Sequence, residues 1–499
     1  MTSKKRASNP TYVSPRQLNI VEFSTPFSKT LDPSNRWVVM SRLIPWDDLV
    51  KTYSKQMKTG VGRPGLNPRI VIGSLFIKHL CDLSDRDTIE HIQENIYMQY
   101  FLGYEGFRQA PPFDPSLFVE IRERLGMEGV SAMNEAIARA AGITGAERHK
   151  DPIKEDSHDD TKNKGRVLFD ATVCPQDIAY PTDLSLLNQA REKSEGIIDM
   201  LYDPLIHQQK PRTYRNTARK LYLQVAKKKI KHKKVLRNAI GRQLRYLKRN
   251  LKSIDRLLDA LGTAIPLGRG DYKDLLVIGT LYQQQLEMFH EKKKSIEDRI
   301  VSIHQPHVRP MVRGKSRTDT EFGAKINVSL IDGYSFIDEL SWSAFHEGRH
   351  LKDYIEQYQT RFGYYPKEVL ADKIYCNREN RTYLKERGIR LLAQPLGRPS
   401  AVNKIHISPG DRNPIEGKFG QAKRAYGLDK IKARLQQTSQ TWIAMILLTV
   451  NLVRLTRAIP PALKIKFVLY FSATLERLLS IQKNISRIHP YPAYVKIHY

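Results

Sequence analysis

Apolar residues recur every three or four positions in the N-terminal quarter of the chain, and this spacing predicts two successive helices. Ser84 has the residue type and position of the cap that begins the second helix. Asp114, followed by a proline, begins a third helix, which Gly126 is expected to end. The pattern predicts an all-helical domain over residues 37–128, preceded by a flexible polar arm at residues 1–36. The apolar positions are Ile70, Leu75, Ile77, Leu80, Ile89, Ile92 and Ile96.

Three short helices after a basic, glycine-rich segment at residues 58–69 are typical of a helix-turn-helix-like DNA-binding domain. Helical spacing alone says nothing about DNA grooves, so a dimerisation or packing domain fits the same pattern. Both alternatives remain open at the level of the sequence.

Farther along the chain, short apolar runs alternate with amphipathic segments, which is typical of an α/β sheet. A strand at 167–169 is followed by a long helical pattern from 183 to about 303, and strand-like alternation returns at 321–341. A helix, a strand, a second helix and a last strand then follow. This order predicts an RNase H-like α/β catalytic sheet over residues 165–440, with a large basic helical insertion, about residues 183–310, after its first strand.

Polar and apolar stretches indicate the structure of the remaining segments. Residues 129–164 end in a stretch that is almost all charged or polar, which predicts a linker. The longest apolar stretch, 442–453, is too short to span a bilayer and predicts a buried helix in a C-terminal helical segment, residues 441–499. No apolar run marks a signal peptide, and three widely spaced cysteines form neither a disulfide framework nor a four-cysteine zinc site. A cytoplasmic protein without a membrane partner is expected.

Positive charge is the most unusual feature of the composition. The 499 residues include 82 Lys and Arg against 52 Asp and Glu, which gives a formal net charge of +30. A folded body with such a charge repels itself unless a polyanion is near, and nucleic acid is the default partner because its binding releases counterions. An anionic membrane surface is the weaker alternative.

Residues 210–252 concentrate this charge, with 17 Lys and Arg and no Asp or Glu. Leucines keep helical spacing through the run, which predicts a folded basic helix rather than a disordered tail. A solvated charged face normally mixes signs, so the segment favours contact with DNA phosphates. Lys227, Lys228 and Lys229 form a continuous cationic triplet in this run and are candidate DNA-binding residues.

Two aspartates stand at the ends of predicted strands. Asp170 ends the first apolar run and Asp372 ends a later one, so parallel strands would bring both to one rim of the sheet. A single aspartate in such a position is most often a turn cap or half of a salt bridge. Phosphodiester chemistry, however, uses two metal ions held by about three carboxylates from different elements.

A third carboxylate, Glu416, lies in a predicted helix that Asn413 caps and that ends before Gly427. Arg412 comes just before the cap, and Lys423 follows Glu416 by two helical turns and so lies on the same face. A carboxylate flanked by these cations can bind metal while the cations hold phosphates.

These residues fall in blocks that resemble the bacterial insertion-sequence DDE transposases of the family-four/family-five type, over most of the chain. An N-terminal block at residues 62–118 resembles the domain that these enzymes share. The last block matches the family's signature of Arg, Glu and Lys with three and then six residues between them, although this chain has Pro409 where the fuller signature has a tyrosine. The other blocks are Leu168-Phe-Asp-Ala-Thr172, Tyr180-Pro-Thr-Asp183, Leu370-Ala-Asp-Lys-Ile-Tyr375, Asn377-Arg-Glu-Asn380 and Tyr426-Gly-Leu428.

The resemblance implies a DDE triad of Asp170, Asp372 and Glu416 as catalytic and metal-binding residues on an RNase H-like fold, with Mg²⁺ as cofactor and Mn²⁺ as a substitute. It implies that Arg412 and Lys423 hold the phosphates beside the scissile bond. The implied partners are double-stranded DNA, as terminal inverted repeats and as target, and a second copy of the chain in a homodimeric synaptic complex at the bacterial nucleoid. A metal-dependent nuclease without strand transfer and an inactive transposase-derived DNA-binding protein are the alternatives; the complete triad disfavours the second.

Two other motifs suggest different chemistry. His346-Glu-Gly-Arg-His350 satisfies the zincin pattern, but it starts at the end of a strand-like run, contains a glycine and lacks a downstream third histidine. Gly60-Val-Gly-Arg-Pro-Gly65 has the glycine spacing of a dinucleotide-binding loop, but it contains a proline and follows no strand. Neither a zinc protease nor a Rossmann domain is expected.

Overall fold

The computed structural model describes most of the chain. Most of the predicted arm at 1–36, the linker residues 144–162 and the chain after residue 457 lie outside the described residues, as does most of the glycine loop at 60–65. The described residues are 30–56, 65–143, 163–262, 266–312, 320–393 and 409–457.

Two compact units make up the chain. Of the described residues, 30–56, 65–118, 132–143 and 449–457 belong to the first unit, and 119–131, 163–262, 266–312, 320–393 and 409–448 belong to the second. The candidate carboxylates at 170, 372 and 416 all belong to the second unit.

Short helices around an aromatic core build the first unit. They are α1 (Arg36–Leu43), α2 (Trp46–Lys55), α3 (Pro68–Leu80), α4 (Asp85–Glu94) and α5 (Ile96–Leu102). The ring centroids of Trp46 and Phe101 lie 5.2 Å apart, and Phe76 packs against Trp46. The buried Arg69 covers the Trp46 ring and donates from Nη2 to the Phe101 carbonyl at 3.0 Å. Ser84 caps α4 in a capping box, as the sequence predicts.

A long kinked helix, α6 (Leu117–Ala140), follows α5. Gly126 has a left-handed φ of 62°, which glycine adopts readily, and helical structure continues on both sides of it. Because Gly126 leaves helical geometry, the prediction that this glycine ends the helix is confirmed; a second helical segment follows it, however, so the prediction of a linker over residues 129–140 is wrong. Val130, Met133 and Ile137 are buried at helical spacing, a signal outweighed in the sequence by the polar stretch farther on.

The second unit contains a mixed sheet. Its strands are β1 (Arg166–Pro175), β2 (Arg309–Val312), β3 (Thr320–Ile331), β4 (Tyr334–Ser341), β5 (Glu368–Leu370) and β6 (Arg390–Leu392). Neighbouring strands follow the order β2-β3-β1-β5-β6, and β4 also pairs with β3. β1 is antiparallel to β3 and parallel to β5. The predicted turn between β3 and β4 is present at Asp332 and Gly333, whose φ values are 49° and 79°. The protein is thus mixed α/β, as predicted.

The helices between β1 and β2 pack around an apolar core of their own. They are α7 (Asp183–Leu201), α8 (Arg215–Ala226), α9 (Lys233–Leu261) and α10 (Arg269–Glu291). Leu187, Leu247 and Ile278, from α7, α9 and α10, are fully buried in this core. The basic run at 210–252 is helical as predicted, but it forms two helices, α8 and α9, joined by an exposed turn at 227–232.

Four later helices precede, separate and follow the last two strands in the chain. They are α11 (Leu351–Phe362), α12 (Arg378–Glu386), α13 (Pro409–Tyr426) and α14 (Gln436–Arg457). α13 begins four residues before Asn413, so the prediction that this residue caps the helix is wrong, and Pro414 lies inside the helix. Gly427, with a φ of 70°, follows the end of α13 as expected. α14 buries the apolar stretch at 442–453, and in the described part of the chain no helix is long and apolar enough to cross a membrane.

Candidate active site

Asp170 lies within β1, which continues beyond it to Pro175. The prediction that this aspartate stands at the tip of the strand is wrong, because antiparallel pairing with β3 extends β1 past the apolar run. The parallel pairing with β5, however, ends at Leu168 opposite Leu370. Asp170 and Asp372 each follow one of these paired leucines by two residues, so both aspartates come to the edge of the sheet where β5 ends.

Arg412, in the first turn of α13, lies between the two aspartates. Its Nη1 is 3.3 Å from Oδ1 of Asp372, and its Nη2 is 3.8 Å from Oδ2 of Asp170. The side chains of Arg412 and Asp170 are only 27% and 19% exposed, which reduces screening of their attraction by water. One guanidinium therefore balances both carboxylates.

Burial raises the pKa of Asp170 to about 6. The neighbouring carboxylates of Glu347 and Asp372 also raise this pKa, whereas the backbone N–H of Ala171 and the guanidinium of Arg412 lower it. The folded protein thus disfavours an uncompensated negative charge on Asp170. A cation placed beside this carboxylate relieves the penalty.

Asp372 caps a 3-10 turn, Lys373–Tyr375, and its Oδ1 accepts a hydrogen bond from the backbone N–H of Lys373 at 2.7 Å. Tyr375 in this turn is buried and donates its hydroxyl to Oδ1 of Asn327 on β3 at 2.6 Å. The turn is therefore tied to the sheet, while the side chain of Asp372 remains 46% exposed.

Glu416 is exposed on α13, one helical turn after Arg412. Within the described ranges, no group of three or more His, Cys, Asp or Glu side chains is arranged to hold a metal ion. The structure therefore brings Asp170 and Asp372 together without gathering all three predicted carboxylates into one cluster. Lys423 is half-buried, two turns farther along the same helix.

The residues at this edge of the sheet fit a divalent cation by their chemistry. Carboxylate oxygens are the donors that Mg²⁺ and Mn²⁺ prefer. Asp170 and Asp372 already share one cationic group, the guanidinium of Arg412. The next turn of α13 supplies a further carboxylate, Glu416, about 6 Å along the helix.

The zincin-like motif adopts a different structure from the one that zinc binding requires. His346 precedes a 3-10 turn and His350 precedes α11, so the two histidines do not share one turn of a helix. Nδ1 of His350 lies 2.9 Å from Glu339, and Glu347 forms an ion pair with Lys325 at 2.7 Å. No local pattern in the sequence indicates Lys325 and Glu347 as neighbours of the site, because only the pairing of strands places β3 beside this segment.

The predicted DNA-binding lysines form a separate cationic surface. Lys227 ends α8, Lys228 and Lys229 follow it in the turn before α9, and all three are exposed. On the inner side of these helices, Val225 and Ala239 are buried. The segment thus presents cations to solvent and buries its apolar side.

Comparison with known protein families gives two matches. A family model described as a transposase DDE domain matches residues 369–453, and a model described as a transposase domain matches residues 26–124. The first match includes Asp372 and Glu416 and begins after Asp170. No solved structure matches the chain.

A relative from Rhizobium meliloti also matches the chain. It is an uncharacterized protein, ORF8 in the nfe locus, and it is 32% identical over 160 residues, which cover 32% of this chain and 71% of that protein. Both family models describe transposase domains, and they match opposite ends of the described chain. The chain therefore belongs to the DDE transposases of bacterial insertion sequences.

Proposed function

We propose that this transposase binds the terminal inverted repeats of an insertion sequence and catalyses metal-dependent cleavage and transfer of DNA strands. The observation that carries the proposal is the pair Asp170 and Asp372 at the end of β5, bridged by Arg412. Two carboxylates at one sheet edge, beside a cation that can bind phosphate, provide the groups that phosphoryl transfer on DNA needs.

Asp170, Asp372 and Glu416 are the proposed catalytic residues and the proposed ligands of Mg²⁺, for which Mn²⁺ can substitute. Two metal ions, when bound, activate the attacking oxygen and stabilise the leaving oxygen. Glu416 belongs to this set because it lies one turn after Arg412, on the helix whose first turn contacts both aspartates.

Arg412 and Lys423 are the proposed phosphate-binding residues. A guanidinium binds carboxylate and phosphate through the same planar set of N–H donors, so it can exchange one for the other. Binding of the scissile phosphate then draws Arg412 from the aspartates and frees their carboxylates for metal. Lys423, on the same helix as Glu416, adds a second positive charge along the DNA backbone.

The exposed triplet Lys227, Lys228 and Lys229 and the N-terminal helices are the proposed surfaces for the terminal repeats. Phosphate contacts by the lysines position the DNA, whereas base reading requires an element in a groove. A homodimer in which each copy holds one end of the element accounts for the joining of two ends to one target.

The catalytic unit is proposed to be RNase H-like. Its central strand β1 has the antiparallel strand β3 on one side, with β4 completing a hairpin, and the parallel strands β5 and β6 on the other. A strand, a hairpin and two further strands that each follow a helix is the order expected for such a sheet. The helices α7 to α10 form the insertion after its first strand.

Strand transfer is the decisive experiment. The purified chain is incubated with terminal-repeat DNA, Mg²⁺ and a target plasmid, with a scrambled end sequence as the control. Joined products that depend on the repeat and on Mg²⁺ are expected. Cleavage without joining would replace the proposal with a stand-alone nuclease, and binding without either reaction would indicate an inactive DNA-binding protein.

A further inference from the structure

The zincin-like segment is in close contact with the turn that carries Asp372. A Cβ atom added at Gly348 would lie 2.2 Å from the carbonyl oxygen of Ile374. This separation is far inside van der Waals contact, and the obstacle is backbone, so no rotation of a side chain relieves it. Glycine at this position therefore permits the two segments to approach as closely as they do.

Two asparagines stabilise this close contact between the zincin-like segment and the Asp372 turn by hydrogen bonds. The Gly348 carbonyl accepts from Nδ2 of Asn377 at 3.0 Å and from Nδ2 of Asn380 at 2.6 Å. Asn380 is 1% exposed and also donates to the carbonyl of Tyr375 at 2.9 Å. Because these two carbonyls belong to different segments, one buried amide fixes their separation.

An ion pair joins the same segment to the sheet. Nζ of Lys325, on β3, lies 2.7 Å from Oε1 of Glu347 and donates to the carbonyl of Phe345 at 2.9 Å. The ammonium also lies 4.7 Å from the centroid of the Phe345 ring. The two charged side chains are 19% and 16% exposed, so their attraction is weakly screened and orients the segment.

We propose that Lys325, Glu347 and Gly348 are positioning residues that fix Asp372 for metal binding. The inference rests on the proposed function, because that function makes Asp372 a metal ligand. Nearly half of the Asp372 side chain is exposed, so its location depends on the backbone of its turn more than on packing around the carboxylate. The ion pair and the glycine contact fix that backbone from the side of β3.

Metal binding by the DNA-free chain tests the proposal separately from activity. Binding of Mn²⁺ is followed by electron paramagnetic resonance, and single-turnover cleavage of terminal-repeat DNA is measured beside it. Gly348→Ala should weaken Mn²⁺ binding and slow cleavage by about tenfold or more, the usual effect of disturbing groups that hold a metal ligand. Affinity for terminal-repeat DNA should not change. Gly196→Ala is the matched control, since a Cβ added there meets no atom within 4 Å.

The lysine provides a second test that does not depend on the glycine variant folding. Lys325→Met should weaken Mn²⁺ binding and slow cleavage to a similar degree, and Lys325→Arg, which keeps the charge, should restore most of both. Wild-type values in Gly348→Ala or, if that variant does not fold, in Lys325→Met would overturn the positioning role.

Asp372→Asn separates this failure from a failure of the proposed function. If Asp372→Asn is inactive while the other variants are normal, only the positioning role falls; normal Mn²⁺ binding and cleavage in Asp372→Asn would remove Asp372 from the triad itself.

Discussion

Nη1 of Arg412 lies 3.3 Å from Oδ1 of Asp372, so the arginine of the Arg–Glu–Lys signature contacts a carboxylate of the candidate site. The same guanidinium reaches Asp170 at 3.8 Å. Its N–H donors lie in one plane, so it cannot satisfy both aspartates and a phosphate with full geometry at once. Under the proposed function, arginine and metal therefore compete for the aspartates, and DNA and the aspartates compete for the arginine.

Replacing Arg412 should change metal binding and cleavage in opposite directions. Arg412→Gln removes the cation that competes for Asp170 and Asp372, so Mn²⁺ should bind the DNA-free chain about two- to fivefold more tightly, the range of a partly exposed ion pair. Cleavage of terminal-repeat DNA should fall sharply because the phosphate loses its guanidinium. Equilibrium Mn²⁺ binding and single-turnover cleavage are the measurements. Arg424→Gln, an exposed position on the same helix, is the control, and weaker Mn²⁺ binding in Arg412→Gln would contradict the competition.

The triad itself is tested by replacing each carboxylate with its amide. Asp170→Asn, Asp372→Asn and Glu416→Gln should each abolish cleavage and leave binding of terminal-repeat DNA largely intact, because metal capture needs the negative charge and phosphate contacts do not. Cleavage is measured on labelled ends and binding by gel shift. Glu379→Gln, an exposed glutamate on α12, controls for loss of one negative charge. Normal turnover in any one triad variant removes that residue from the set.

Much of the fold follows from local signals in the sequence. The Ser84 capping box, the turn at Asp332 and Gly333, and the buried apolar helix around 442–453 are each encoded within a few residues. The full length of β1 could not be predicted from local sequence. Residues beyond Asp170 form a strand because they pair with β3, which lies about 150 residues away in the chain. Gly126 breaks the helix as predicted, whereas the helical segment after it was missed because the polar stretch farther on outweighed its apolar spacing.

The candidate site was predictable in residue type and only partly in geometry. The places of Asp170 and Asp372 at the ends of two predicted strands indicated a shared edge, and the parallel register of Leu168 with Leu370 accounts for it. The contact of Arg412 with both aspartates depends on where α13 crosses the sheet, which no local pattern specifies. Whether Glu416 joins the aspartates stays a prediction.

The lysine triplet should increase the affinity for DNA without changing the preference for one DNA sequence over another. Changing Lys227, Lys228 and Lys229 together to Gln should weaken binding about equally for terminal-repeat and random DNA, because exposed cations contact phosphate. If all three contact phosphate, the slope of log affinity against log salt should flatten by about 0.9 per lost contact, about 2.7 in total. Binding is titrated across a salt series with both DNAs.

A second lysine triplet gives a control of equal charge. Lys292, Lys293 and Lys294 are also exposed, but Lys293 already forms ion pairs with Glu291 and Glu287. Their joint change to Gln removes the same three charges and should leave the salt slope nearly unchanged. Equal flattening by both triple variants would mean that net charge, and not the turn between α8 and α9, governs DNA affinity.

The histidines of the zincin-like motif should not be needed for metal-dependent cleavage of DNA. His346→Ala and His350→Ala should keep Mg²⁺-dependent cleavage, because the two histidines lie on different elements and His350 already contacts Glu339. The purified wild type should contain no stoichiometric zinc by elemental analysis. One zinc per chain that both variants lose would establish a zinc site here.

A buried aspartate in β4 should make stability depend on pH. Asp338 is the extra residue of a bulge in β4, and only 1% of its side chain is exposed. Burial raises its pKa to about 7, although Arg361 and a hydrogen bond from Ser329 at 2.9 Å both lower it. The folded protein therefore favours the protonated acid over the carboxylate.

The sign of the pH effect follows from this raised pKa. An aspartate titrates near pH 4 in the unfolded chain, so the stability that the protonated form contributes is complete below about pH 4 and is lost as pH rises through about 7. Asp338→Asn removes this titration, so its stability relative to wild type should increase from pH 5 to pH 8, by at most about 3 kcal/mol. Urea unfolding at both pH values measures the difference. Asp353→Asn, an exposed aspartate on α11, should show the same offset from wild type at both. An offset for Asp338→Asn that does not grow with pH would mean that Asp338 is already ionised in the folded protein at pH 5, held by Arg361.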